Sequence, residues 1–285
     1  MNTLKIAIQK SGRLHGESLK ILKDCGISIN NGKGQLKAKA SNFPLEIFYL
    51  RNGDIPKYLR DGVVDLAIIG ENLCIEKGED LPIVQKLGFS KCRVSIAVPK
   101  TMDYQNIKDL DGKEIATSYP NTLKRFLNQK NIKADIHLIN GSVEIAPNIG
   151  LSQAICDIVS SGSTLFKNNL KEVETILESE AVLVSSPQLN KEKQSLLDQL
   201  SFRISSVLRA ENSKYVLLNA PNNKLDDIIK ILPGMKSPTI MPLADKNWSS
   251  VHTVIHQDQF WEIIDELKTA GAESILINSI DKMIL

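Results

Sequence analysis

Short apolar runs alternate with polar, glycine- or serine-bearing turns along the first 185 residues. The runs are Leu4–Ile8, Leu45–Leu50, Asp65–Ile69, Arg93–Val98, Glu114–Thr117, Ala134–Ile139 and Ala154–Val159. Several, such as Leu66-Ala67-Ile68-Ile69, show no polar alternation, which predicts strands covered on both faces, as in a largely parallel sheet flanked by helices. Helical stretches, including Leu14–Cys25 and Thr122–Gln129, open just after polar turns. The expected class is α/β.

Pro99 ends the run Arg93–Val98, the segment Thr101–Gly112 is polar and turn-rich, and a second βα series begins at Lys113. Over Asn190–Ala210 the apolar positions Leu196, Leu197, Leu200, Ile204, Val207 and Leu208 follow a helical period and predict one long amphipathic helix. The pattern suggests one lobe over residues 1–92, a second over 93–184, and a returning segment at about 185–211. Two such lobes make a cleft, and ligands in open α/β sheets bind beyond the carboxyl ends of strands. Residues 213–285 read differently. Strands are expected at Tyr215–Asn219, Thr239–Leu243, Trp248–Ile255 and Ser274–Ile280, and helices at Leu225–Leu232 and Asp258–Ala270. That order, βαββαβ, is the ferredoxin-like arrangement.

Composition narrows the classes. A length of 285 residues suggests two domains or three small ones. With 35 basic against 33 acidic residues the net charge is +2, so nothing favours a nucleic-acid or membrane-surface binder. No apolar run is long enough to span a bilayer. The N-terminal residues carry no signal-peptide pattern, and a cytoplasmic location is expected. Cys25, Cys74, Cys92 and Cys156 are widely spaced without a C-x-x-C pair, so they are expected as free thiols packed like small apolar residues. His252 and His256 lie four apart in a stretch that reads as strand. They would stand ~13 Å apart, too far to share a zinc ion. His15 and His137 have no partner at useful spacing, so no protein-ligated metal is expected.

Strand-to-helix turns carry the chemical signal. In Gln9-Lys10-Ser11-Gly12-Arg13, glycine lets backbone approach a ligand while Lys10 and Arg13 add cationic donors. In Asp157-Ile158-Val159-Ser160-Ser161-Gly162-Ser163-Thr164 a strand delivers an acid, then small hydroxyl or glycine residues lead into a helix. Such a turn can offer several amides and hydroxyls to one phosphate, and Asp157 can accept from sugar hydroxyls. A helix N-cap with spare serines is the plain alternative. It is not a Walker loop. Arg51, Gly70-Glu71-Asn72, Lys91-Cys92-Arg93, Thr117-Ser118-Tyr119-Pro120 and Asn140-Gly141-Ser142-Val143-Glu144 also fall near strand ends.

Together these segments, with Asp61–Leu66, Leu232-Pro233-Gly234 and Ser237-Pro238-Thr239, resemble the long form of the ATP phosphoribosyltransferase family, the first enzyme of histidine biosynthesis, over essentially the whole chain. The resemblance implies two periplasmic-binding-protein-like α/β lobes and a C-terminal ferredoxin-like regulatory domain. It also implies displacement of diphosphate from 5-phosphoribosyl 1-diphosphate (PRPP) by N1 of ATP, with Mg2+ carried on the substrate. Ser160, Ser161, Gly162, Ser163 and Thr164 would then hold the 5-phosphate, and Glu144 and Asp157 the ribose. Lys10, Arg13, Arg51 and Arg93 would flank the diphosphate and the ATP phosphates, Arg13 counting also among the ATP contacts. Gly70, Glu71, Asn72, Thr117, Ser118 and Tyr119 would line the rest of the ATP site. Asn219, Met235, Thr239, Val254 and Ser274 would lie near inhibitory histidine. Dimers assembling to a hexamer, without a separate regulatory subunit, are likewise implied.

One departure from the family pattern is visible. Asn168-Asn169-Leu170 stands where the family usually has Asn-Gly-Leu. Left-handed backbone is expected at that turn, and after glycine asparagine tolerates it best. A non-enzymatic solute-binding protein is the rival from another class, since two lobes around a cleft would suit one. An inactive regulatory subunit is a second rival, but such chains lack a complete catalytic motif set.

Overall fold

The computed structural model describes residues 3–30, 35–78, 81–232, 234 and 237–284. The chain divides into two compact units, Met1–Lys23 with Ile27–Asp198, and Asp24–Gly26 with Gln199–Leu285.

The first unit opens with β1 (Leu4–Gln9), α1 (Arg13–Asp24), β2 (Lys37–Lys39), β3 (Leu45–Leu50), α2 (Ile55–Arg60), β4 (Leu66–Gly70), α3 (Glu71–Lys77) and β5 (Ile83–Lys86). It continues through β6 (Cys92–Pro99), β7 (Glu114–Thr117), α4 (Pro120–Lys130), β8 (Asp135–Leu138), β9 (Ala154–Val159), α5 (Ser163–Lys167), β10 (Leu170–Ser179) and β11 (Ala181–Ser185). The long helix α6 (Lys191–Glu211) follows. Its residues Leu197, Leu200, Ile204 and Val207 are buried, as the period of the sequence requires.

Two sheets result, in the orders β2-β3-β1-β4-β11-β5 and β10-β6-β9-β7-β8. Neither is largely parallel. β1 runs parallel to β3 and β4, and β7 parallel to β8 and β9, but the remaining pairings are antiparallel. Three of these antiparallel pairings come from the segment 170–185. β10 runs antiparallel along β6, and β11 pairs Ala181 with Gly70 through Ser185 with Leu66, adding a strand to the first sheet. β10 (LKEVETILES) is mostly half-exposed and interrupted by charges, so it gives no apolar run. The second sheet is covered on both faces. Leu123 and Leu127 of α4 pack with Val94, Ile96 and Ile115 on one side, and Val143, Ala146 and Leu165 with Ala97, Ala116 and Ile155 on the other.

The second unit contains β12 (Ser213–Pro221), α7 (Leu225–Ile231), β13 (Thr239–Pro242), β14 (Trp248–His256), α8 (Gln257–Thr269) and β15 (Glu273–Ser279). Its sheet, β13-β14-β12-β15, is antiparallel throughout, the expected βαββαβ unit. Val216, Leu218, Val251 and Ile255 form its core with Ile228 of α7 and with Phe260 and Leu267 of α8.

Candidate active site

β1 and β3 pair in parallel up to Gln9 opposite Leu50, so the next residues, Lys10 and Arg51, emerge side by side. The Lys10 amide continues the ladder to the Leu50 carbonyl at 2.8 Å. Both side chains are exposed, and neither has a partner among the described residues. Arg13 is exposed and bonded to Glu17 at 3.3 Å, while Glu17 also takes the Ser90 hydroxyl. On the other flank of β1, β4 ends at Gly70. A Cβ there would meet Asn72 Oδ1, so any larger residue would displace the Asn72 side chain. Asn72 is buried, its amide receiving no solvent but donating to Ser179 Oγ at 2.9 Å, whose hydroxyl donates back to Asn72 Oδ1 at 3.0 Å. Glu71 pairs with Lys86 at 3.1 Å.

In the second sheet, β9 ends at Val159 and delivers Ser160–Thr164. Gly162 takes the left-handed φ of +75° as the residue before α5. Ser161 and Ser163 share a hydroxyl contact of 3.1 Å. The amides of Ser161, Gly162, Thr164 and Leu165, and the Thr164 hydroxyl, have no partner among the described residues. Helix α5 has only five residues, so the anion-attracting element is this nest of amides more than a helix dipole. Glu144 and Asp157 line the same pocket, of about 90 Å³. Burial, together with the nearby Glu144 charge, pushes the Asp157 carboxyl above the ordinary range, against a lowering bond from the Ile158 amide at 2.8 Å.

Arg93, at the start of β6, is opposite Val159. Its guanidinium grips Glu172 of β10 with two bonds of 2.5 Å, and a third N–H reaches the Ser160 carbonyl at 3.2 Å. That pairing holds the Glu172 carboxyl below its usual range. Glu172 and this clamp gave no sequence signal, because the partners lie 79 residues apart. Lys86, Lys91, Arg93, Glu71, Glu178 and Ser160 border a cavity of about 430 Å³, which joins the strand ends of the first sheet to the loop of the second.

Thr117 and Ser118 are placed differently. Thr117 is fully buried, donating to the Cys156 carbonyl at 2.6 Å and accepting from the Tyr119 amide at 2.8 Å. Ser118 donates to the Ile139 carbonyl at 2.6 Å. Tyr119 is largely buried, and burial, with the nearby Asp157 charge, pushes its phenol upward. All four cysteines are free; burial raises Cys25 and Cys74 to about 11 and Cys156 to about 12, which keeps these thiols protonated and inert. Among the described residues no group of three or more His, Cys, Asp or Glu is arranged to hold a metal ion, and no helix is long and apolar enough to cross a membrane.

In the second unit, strand pairing sets Asn219 opposite Ser250, Thr239 opposite His252, and Val254 opposite Tyr215. These three expected effector residues therefore share the sheet face away from α7 and α8. Ser274 occupies the β-bulge opposite that strand, with a φ of +50°. Met235 lies outside the described residues. At the centre of the face Tyr215 and His252, which the sequence did not single out, are bonded at 2.6 Å.

Comparison with known proteins agrees with this architecture. A family model described as HisG, ATP phosphoribosyltransferase, matches residues 51–206, and one described as the HisG C-terminal domain matches residues 210–282. An ATP phosphoribosyltransferase of Cytophaga hutchinsonii is 55% identical over 99% of this chain and 98% of its own. One from Phocaeicola vulgatus is 52% identical over 99% of this chain and all of its own. Among solved structures, the ATP phosphoribosyl transferase (HisG:HisZ) complex from Thermotoga maritima is similar with a TM-score of 0.61 and 31% identity, covering 71% of this chain and 99% of that one. On the sequence and the two-part fold together, the chain belongs to the ATP phosphoribosyltransferase family, in its long form with a C-terminal domain, the enzymes of the first step of histidine biosynthesis.

Proposed function

We propose that this chain transfers the 5-phosphoribosyl group of PRPP to N1 of ATP, releasing diphosphate and giving N1-(5-phosphoribosyl)-ATP, and that histidine bound to the C-terminal unit inhibits it. The observation that carries the reading is the segment Ser160–Leu165, with four amides and a threonine hydroxyl unpartnered among the described residues, beside two carboxylates. Amides and hydroxyl suit a terminal phosphate, which only accepts hydrogen bonds. Glu144 and Asp157 suit sugar hydroxyls, which donate. Lys10 and Arg51, at neighbouring strand ends and without partners among the described residues, suit the anionic diphosphate, whose Mg2+ arrives as part of the substrate.

The nucleophile is an adenine nitrogen and the leaving group a metal-bound diphosphate. Such a reaction needs two substrates held in line and positive charge placed where diphosphate departs. Bond formation at C1 from N1 and loss of the diphosphate oxygen leave a cationic adenine, so no side chain has to remove a proton from the nucleophile for the bond to form. The Thermotoga maritima chain is in complex with HisZ and matches only 71% of this one. The further C-terminal domain supports an enzyme that carries its own regulation without a separate subunit, and under the same proposal it is a cytoplasmic enzyme of dimers assembled to a hexamer.

Mixing the full chain with ATP, PRPP and Mg2+ tests the reaction directly. The absorbance rise of phosphoribosyl-ATP is expected, and added histidine is expected to suppress it. No rise with properly folded protein refutes the reaction, and a rise indifferent to histidine refutes the regulation.

A further inference from the structure

Two turns that the family resemblance assigns to the ATP site, Gly70–Asn72 and Thr117–Tyr119, come from different sheets, and each leads directly into a helix, α3 and α4. One buried carboxylate bridges those helices. Glu76, in the last turn of α3, is 5% exposed. Its Oε1 accepts from the Asn121 amide at 3.0 Å, and its Oε2 from the Thr122 amide and the Thr122 hydroxyl, each at 2.8 Å. The Asn121 side chain donates in return to the Glu76 carbonyl at 3.0 Å, and Arg125 donates to the Ile75 carbonyl at 2.5 Å. A carboxylate thus caps the first turn of an eleven-residue helix from the opposite sheet, where backbone amides lack helical partners and the dipole favours negative charge.

We propose that Glu76 is a positioning residue that sets the spacing between these two turns and so the width of the nucleotide site. This rests on the ATP assignment made above. The lever is short. Along α3 the bridge at Glu76 lies five residues from Glu71, about 7.5 Å, and the amides Glu76 grips follow Tyr119 by two and three residues. Any slip of α4 along α3 would break several bonds to one buried carboxylate at once, leaving charge without partners. The geometry therefore holds one separation of the turns rather than a range.

The test compares the full-length wild type with Glu76→Gln, which keeps size but replaces an accepting oxygen by an NH2 facing backbone N–H groups. KM for ATP is expected to rise roughly tenfold while KM for PRPP stays within about twofold. Thr122→Val, which removes one donor and leaves the carboxylate, is expected to shift KM for ATP in the same direction by roughly threefold. Equal shifts in both KM values, or none, in a variant with a wild-type circular dichroism spectrum would overturn the proposal. If Glu76→Gln does not fold, Thr122→Val decides on the same criterion. A wild type without turnover would overturn the ATP assignment instead; calorimetric ATP affinity of wild type against variant then judges the positioning role by itself.

Discussion

Thr117–Tyr119 and Ser160–Thr164 follow neighbouring parallel strands, β7 and β9, paired through Thr117 and Cys156. Both are rich in small hydroxyl residues, yet they use them oppositely. In the first, the Thr117 and Ser118 hydroxyls are each committed to a backbone partner, and Thr117 is fully buried. In the second, hydroxyls and amides stand exposed and largely unpartnered around a left-handed glycine. Residue type alone does not separate hydroxyls spent on the fold from hydroxyls left available to a ligand. The state of the hydrogen bonds does, because buried polar groups must be satisfied within the fold whereas a ligand site keeps its groups available.

Substitutions in each turn should therefore fail in different ways. Thr117→Val, which strands two buried partners, should cost about 3 kcal/mol of stability in urea denaturation with little change in PRPP affinity. A stable variant with lost PRPP binding would reverse the assignment of the two turns. Gly162→Val places a β-branched residue at a φ of +75°. It should lower turnover roughly a hundredfold through misplacement of the loop, with a smaller effect on melting temperature. Thr164→Ala should weaken PRPP binding, measured by calorimetry, by about 1–2 kcal/mol and leave stability unchanged. The smallest effect is expected at Asn169→Gly. Asn169 holds a φ of +56° at the end of the same segment, and glycine there should raise stability by about 0.5–1 kcal/mol in thermal melts.

Much of the fold was legible in the chain. Short, largely apolar runs located β1, β3, β4, β6, β7, β8 and β9, and the helical period located α6. The left-handed backbone expected at Asn168-Asn169 is present at Asn169. The antiparallel partners were not legible. β10 carries Lys171, Glu172, Glu174 and Glu178 among its apolar residues, so it resembles a surface segment until its pairing with β6 is known. Arg93 was singled out as a bare cation for phosphate, whereas in the fold Glu172 holds it and one of its donors supports Ser160.

Local chemistry is what the sequence determined by itself: the α/β class, the βαββαβ tail, the family, and a loop of small hydroxyl and glycine residues leading into a helix. Those properties follow from residue periodicity and from what glycine and hydroxyl residues do within a few positions. Tertiary structure alone decided which hydroxyls are spent and which are free, which acid holds Arg93, and that Glu76 reaches Thr122. These outcomes depend on partners 39 to 79 residues apart along the chain. Only burial and strand pairing bring such groups within the 3 Å at which hydrogen bonds form.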